Sequence, residues 1–182
     1  IRINGQLEQT LRYGENPNQT AYLYKDPTAK GPNVVSADVV AGKPLSYNNL
    51  IDAAAALDLV QDLYAYATEP AVAIIKHTNP CGAAFGADLT EAFQRAWLGD
   101  PLAAFGGIVA LSGNVDEELA RQIAHGEKFL EVIIAPSFTD EAKRVLSGRW
   151  KNVRLLAVGN DTRPDHWQQL RSVAGGFLTQ SA

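Results

Sequence analysis

One cysteine, no methionine and no excess of basic charge are the first features of this 182-residue chain. A lone Cys81 can close no intrachain disulfide and leaves too few thiolates for a structural zinc site, so a disulfide-stapled secreted scaffold is excluded and a reducing, cytoplasmic compartment is expected. A formal net charge of -4 and a pI near 5.3 supply no basic field for nucleic acid or for an anionic membrane surface. An anionic small molecule meeting a local cationic pocket stays open. No apolar run approaches the ~20 residues that span a bilayer, and the first residues show neither a charged n-region nor an apolar h-region. The glycine-rich fingerprints of dinucleotide and phosphate-loop sites are both missing. With Ile1 at its start, the methionine-free chain reads as a piece of a longer polypeptide.

What is present is enough for one sizeable core: 46% of residues are hydrophobic, and no repeat, low-complexity segment or linker divides the chain. Residues 11–17 read as an ordered loop and 20–24 as a strand. Turn chemistry at residues 43–49 hands over to a helix running to about Tyr66, with Ala53, Leu57, Val60 and Tyr64 at three- and four-residue spacings. Residues 71–75 form an all-apolar run of the kind buried on both faces of a parallel sheet. Asp88 and Glu91 suggest a capping box for a helix ending near Gly99. Strands at 107–112, 132–135 and 153–158 then alternate with helices at 117–124 and 140–146. That alternation predicts an α/β fold: a mixed, largely parallel sheet with helices on both faces. Residues 160–165 read as a polar loop, and 173–178 as a bent strand or the start of a further element.

The chemistry-bearing stretch is Lys76-His77-Thr78-Asn79-Pro80-Cys81-Gly82, following the apolar run. It is expected to lie beyond the carboxyl end of a strand, where ligands of open α/β sheets bind. Asn79 and Pro80 fit an N-cap and first helical position, so the stretch is read as a strand passing into a helix start. Lys76 can hold an anion or polarise a carbonyl, and His77 beside that cation is placed to act as a neutral base. Consecutive strand residues point to opposite faces, so both reach one site only if the strand ends by Lys76. The bland alternative is a surface lysine beside a hydrogen-bonded structural histidine. Cys81 as an activated thiol is a further alternative, set against its more usual role as a small buried filler. Arg12-Tyr13 offers a guanidinium fork for phosphate and a phenol, and Phe105-Gly106-Gly107 a turn or a close backbone approach to a ligand.

Taken together, Leu11-Arg12-Tyr13-Gly14-Glu15-Asn16-Pro17, the segments 43–49 and 100–111, the Lys76 to Gly82 stretch, and Glu131-Val132-Ile133-Ile134-Ala135-Pro136 closely resemble the transformylase domain of bifunctional purine biosynthesis proteins. That resemblance implies formyl transfer from 10-formyltetrahydrofolate to the amine of 5-aminoimidazole-4-carboxamide ribonucleotide (AICAR), with no metal in the chemistry. It implies His77 as proton acceptor and Lys76 as transition-state stabiliser. Arg12, Tyr13, Phe105, Gly106 and Glu131 fall on substrate contacts, while Asn79 is read from its place in the turn, apart from the resemblance, as a site-shaping substrate-binding residue. It also implies a cytidine-deaminase-like subdomain, a homodimer in the full-length protein, and a chain of 1–182 that holds only the first part of the transformylase domain. A fragment of that kind is expected to be inactive alone. The competing expectation is a noncatalytic module that binds a phosphorylated metabolite or a partner chain.

Overall fold

The computed structural model describes residues 4–163 and 168–181, so positions 164 and 165 of the expected polar loop lie outside the described residues. Its centre is a six-stranded sheet of β3 (Asp38–Ala41), β4 (Ala71–Lys76), β5 (Asn79–Phe85), β6 (Gly107–Leu111), β7 (Leu130–Ala135) and β8 (Arg154–Ala157), in spatial order β3-β8-β7-β6-β4-β5. Pairing is parallel through β6, β7 and β8, whereas β3, β4 and β5 pair antiparallel with their neighbours. The apolar run in β4 is therefore explained by burial of both faces, not by parallel pairing. Two-residue alternation divides the side chains: Val72, Ile74, Val109 and Ile133 enter one core, and Ala73, Ile75, Ile108 and Val132 the other.

Helices cover both faces. α1 (Tyr47–Ala67) contributes Ala53, Ala56, Leu57 and Val60 to the second core. The first core is closed by α2 (Leu89–Gly99), α4 (Glu117–Ala124) and α5 (Asp140–Arg149), through Phe93, Ala96, Leu119, Ile123 and Leu146; the short α3 (Pro101–Ala104) leads into β6. The helix starts follow the capping chemistry of their sequences. Ser46 accepts from the Asn49 N–H while the Asn49 side chain accepts from the Ser46 N–H, and Asp88, Asp116 and Thr139 cap α2, α4 and α5; the capping box expected at Asp88 is only half formed, because Glu91 Oε2 accepts from the Ala87 N–H and not from that of Asp88. Among the described residues no helix is long and apolar enough to cross a membrane.

Two hairpins accompany this body. β1 (Gln6–Leu11) pairs with β2 (Ala21–Lys25). The segment expected as a bent strand or the start of a further element is the end of β9 (Gln168–Val173), a turn and the start of β10 (Gly176–Ser181), reversed through Gly175 at φ 85°.

The largest departure from expectation lies just after β4. No helix starts at Asn79; residues 79–85 form β5, folded back on β4 with Lys76 opposite Asn79. Pro80 is tolerated because β5 is the edge strand of the sheet. The run Cys81-Gly82-Ala83-Ala84 has small side chains because α2 lies against it: a Cβ on Gly82 would sit 1.9 Å from the Ala96 carbonyl oxygen.

Candidate functional site

His77 and Thr78 are the two loop residues of the β4–β5 hairpin, with φ of 53° and 60°. A two-residue loop with both φ positive matches the type I′ turn, whose twist suits antiparallel strands and which usually takes Asn-Gly. Here a β-branched threonine and a histidine occupy it, an arrangement that is sterically costly and must be held by its surroundings. The holding group is Asp52 on α1: its Oδ2 accepts from the His77 N–H at 3.0 Å and its Oδ1 from the Thr78 N–H at 2.7 Å. The His77 carbonyl accepts from Asn79 Nδ2 and from Thr78 Oγ1, each at 2.7 Å. Asn79 is thus a turn residue, not a helix cap. His77 is exposed, and its imidazole has no hydrogen-bond partner among the described residues.

Lys76 ends β4, and its Nζ donates to the Phe105 carbonyl at 2.7 Å. The following Gly106 has φ 77°, the left-handed region that favours glycine, and its N–H donates to the Phe129 carbonyl at 2.8 Å. The rings of Phe105 and Phe129 are 5.6 Å apart. Sheet direction explains the meeting. β4 runs toward this edge and β6 and β7 run away from it, so the end of β4 meets the beginnings of β6 and β7.

Glu131, near the start of β7, lies at the same edge. Its Oε2 accepts from Asn49 Nδ2 at 3.0 Å. Asn49 is buried, and it stands one turn before Asp52 on α1. The first turns of α1 therefore tie Glu131 and the His77 turn to one rigid element. Neither Asn49 nor Asp52 was singled out from sequence, although Ser46, Asn49 and Asp52 recur every three residues in a helix otherwise rich in Ala and Leu.

Of the eight expected site residues, Lys76, His77, Asn79, Phe105, Gly106 and Glu131 share this edge. Arg12 and Tyr13 lie in the β1–β2 loop, where the Arg12 guanidinium sits 5.6 Å from the Tyr13 ring. That loop is ordered by Gly14 N–H to Gln19 O at 2.9 Å. It approaches the site through Asn48 Nδ2, which donates to the Glu15 carbonyl at 3.4 Å. Among the described residues, no hydrogen bond or ion pair joins Arg12 or Tyr13 to Lys76 or His77.

The edge is the carboxyl end of β4 but the amino end of the parallel trio β6–β8. The carboxyl ends of that trio line a cavity of about 480 Å³ at the opposite side of the molecule, with Leu57, Val60, Tyr64, Pro136, Val158 and Arg163 among its walls. The topological rule for open α/β sheets thus favours the far cavity. The clustering of Lys76, His77 and Glu131 favours the near edge, and side-chain chemistry is the better guide to function. Cys81 is half-buried against the core, and burial, then Asp100, pushes its thiol up, which leaves little thiolate for a nucleophile. Among the described residues, no three His, Cys, Asp or Glu side chains gather as a metal site.

The family model described as "AICARFT/IMPCHase bienzyme" matches residues 1–182. The "Bifunctional purine biosynthesis protein PurH" of Bacillus mycoides (strain KBAB4) is 46% identical over 180 residues, covering 99% of this chain and 34% of the relative. The proteins of the same name from Bacillus cytotoxicus and Bacillus anthracis match at the same identity and coverage. The chain therefore spans about a third of the length of these curated relatives.

Proposed function

The chain belongs to the AICARFT/IMPCHase bienzyme family, and from that premise we propose that its Lys76–His77 edge carries the formyl-transfer chemistry of purine biosynthesis. The substrates of the proposal are AICAR and 10-formyltetrahydrofolate. The observation that carries it is the meeting of Lys76, His77, Phe105 and Glu131, distant in sequence, at one sheet edge.

An arylamine conjugated to a carboxamide is a weak nucleophile. Attack on the formyl carbon needs its proton removed and the negative charge on the formyl oxygen stabilised. His77, with an uncommitted imidazole, accepts the amine proton as the new C–N bond forms. The Lys76 ammonium, steadied by the Phe105 carbonyl, faces the developing oxyanion. The bond from the formyl carbon to the folate nitrogen then breaks, and that nitrogen takes a proton, so the products are formyl-AICAR and tetrahydrofolate. Glu131, oriented by Asn49, is the acidic substrate contact, and the Arg12 guanidinium is suited to the ribonucleotide phosphate.

The exposure of His77 and Phe105 supports a further part of the proposal. An open edge cannot exclude water from the reacting groups, so efficient turnover requires a second surface over it, such as the homodimer partner proposed for the full-length protein. The 182 residues alone then bind AICAR but turn over slowly or not at all. The same exposure suits the alternative of a noncatalytic metabolite-binding module.

Calorimetry with AICAR, paired with a formyl-transfer assay, tests the proposal. Binding that weakens about tenfold or more in Arg12→Ala is expected. Absence of AICAR binding would refute it. Rapid formyl transfer by the isolated chain, abolished by His77→Ala, would refute the need for a second surface.

A further inference from the structure

We propose that Asp52 is a positioning residue for His77: it holds the catalytic turn in a backbone conformation that the turn's own residues disfavour. The inference rests on the formyl-transfer reading for its chemistry, but its structural content stands on the geometry of the hairpin.

Three observations converge. His77 and Thr78 both sit at positive φ, 53° and 60°, a region that histidine enters uncommonly and where the β-branched side chain of Thr78 is strained. Their two N–H groups point at the two oxygens of one carboxylate, at 3.0 and 2.7 Å. That carboxylate stands on α1, whose next turn toward the N-terminus carries Asn49 and through it Glu131. A general base must be held to within a fraction of an ångström and a few degrees, and a rigid helix does this better than a loop can. Charge-assisted hydrogen bonds to both turn amides can offset the steric cost; an amide side chain at position 52 offers one acceptor oxygen and loses one of them.

The arrangement also accounts for the choice of turn residues. A glycine in place of Thr78 would let the turn form without help, and would make its geometry less dependent on α1. With threonine, the orientation of His77 follows Asp52. Lys76 is fixed separately, through Phe105, so loss of Asp52 displaces the base while leaving the cation in place.

NMR of the 182-residue chain tests this with Asp52→Asn, Thr78→Gly and the double variant. In Asp52→Asn, amide exchange at one of the two turn positions, His77 or Thr78, should accelerate by about tenfold, and the His77 ¹³C shifts should leave their left-handed values. In the double variant those shifts should return, because glycine relieves the strain that Asp52 counters; Asn79 Nδ2 still engages the His77 carbonyl. The response of the His77 ring to AICAR should fall in Asp52→Asn and recover in the double variant. A merely structural Asp52 would lower the melting temperature without this pattern of loss and rescue at His77. Unchanged His77 shifts in Asp52→Asn, or a change that Thr78→Gly fails to reverse, would overturn the proposal. If the unsubstituted chain shows no His77 response to AICAR, the formyl-transfer reading fails, whereas the ligand-free shifts still judge the turn.

Discussion

Asn49→Asp changes one buried NH₂ into an oxygen and leaves the shape of the side chain intact. The Oδ1 that accepts from the Ser46 N–H is retained, and a carboxylate near the start of α1 is favoured by the helix dipole by roughly 0.3–1 kcal/mol. Against this, the donor to Glu131 Oε2, 3.0 Å away, is replaced by a second negative oxygen. Loss of a hydrogen bond to a charged group costs about 1.5–3 kcal/mol. Repulsion between charges at that separation reaches roughly 5 kcal/mol at an effective dielectric of 20. It cannot exceed the cost of protonating one carboxylate at neutral pH, about 4 kcal/mol for three pH units. The net prediction is a destabilisation of about 2–4 kcal/mol at pH 7. Two carboxylates so close retain a proton to a higher pH than either would in the unfolded chain, so the native variant binds more protons than the unfolded one between those values. The penalty is therefore full above the raised native pKa, and it disappears as pH falls to the unfolded carboxylate range near 4. Thermal melts of variant and unsubstituted chain from pH 4 to 8, compared as a difference curve, provide the assay. Equal melting temperatures at pH 7, or a deficit that does not shrink on acidification, would refute the reasoning.

Two other substitutions probe the frame around the site. Gly82→Ala drives a methyl group into the Ala96 carbonyl of α2, and should cost about 2–3 kcal/mol, a fall in Tm of roughly 4–12 °C measured by calorimetry. Asp58→Asn should stabilise the chain at neutral pH, because burial raises the Asp58 pKa and the ionised form is the disfavoured one. That gain is present above the raised native pKa and fades as pH falls toward the unfolded value, so melts that show equal stability at pH 7 would contradict it.

Much of this architecture could be read from residues. Asp88 announces α2, the turn chemistry at 43–49 announces α1, and the spacing of Ala53, Leu57 and Val60 carries α1 to its end. β5 carries no strand signature for a physical reason: packing against α2 demands Cys81-Gly82-Ala83-Ala84, and small side chains erase the β-branched, alternating pattern of a strand. Asn79-Pro80 is ambiguous as well, since the same pair that can cap a helix also suits a turn and an edge strand. The exposed strands β1, β9 and β10 bury almost nothing, so their sequences lack a core-facing period. At the site, Lys76 and His77 were visible as chemistry, and Arg12, Tyr13, Phe105, Gly106 and Glu131 through family resemblance. Asp52 was not visible, because its role depends on a hairpin that a linear reading turned into a helix.

The central claim is that the near edge, and not the cavity at the far end of the sheet, is where this chain meets its substrate. Chemical-shift mapping of the ¹⁵N,¹³C-labelled chain titrated with AICAR tests it most directly. The account predicts saturable shifts at Lys76, His77, Gly106 and Glu131. Shifts gathered instead around Val158 and Arg163 at the far cavity, or no saturable shifts anywhere, would contradict it.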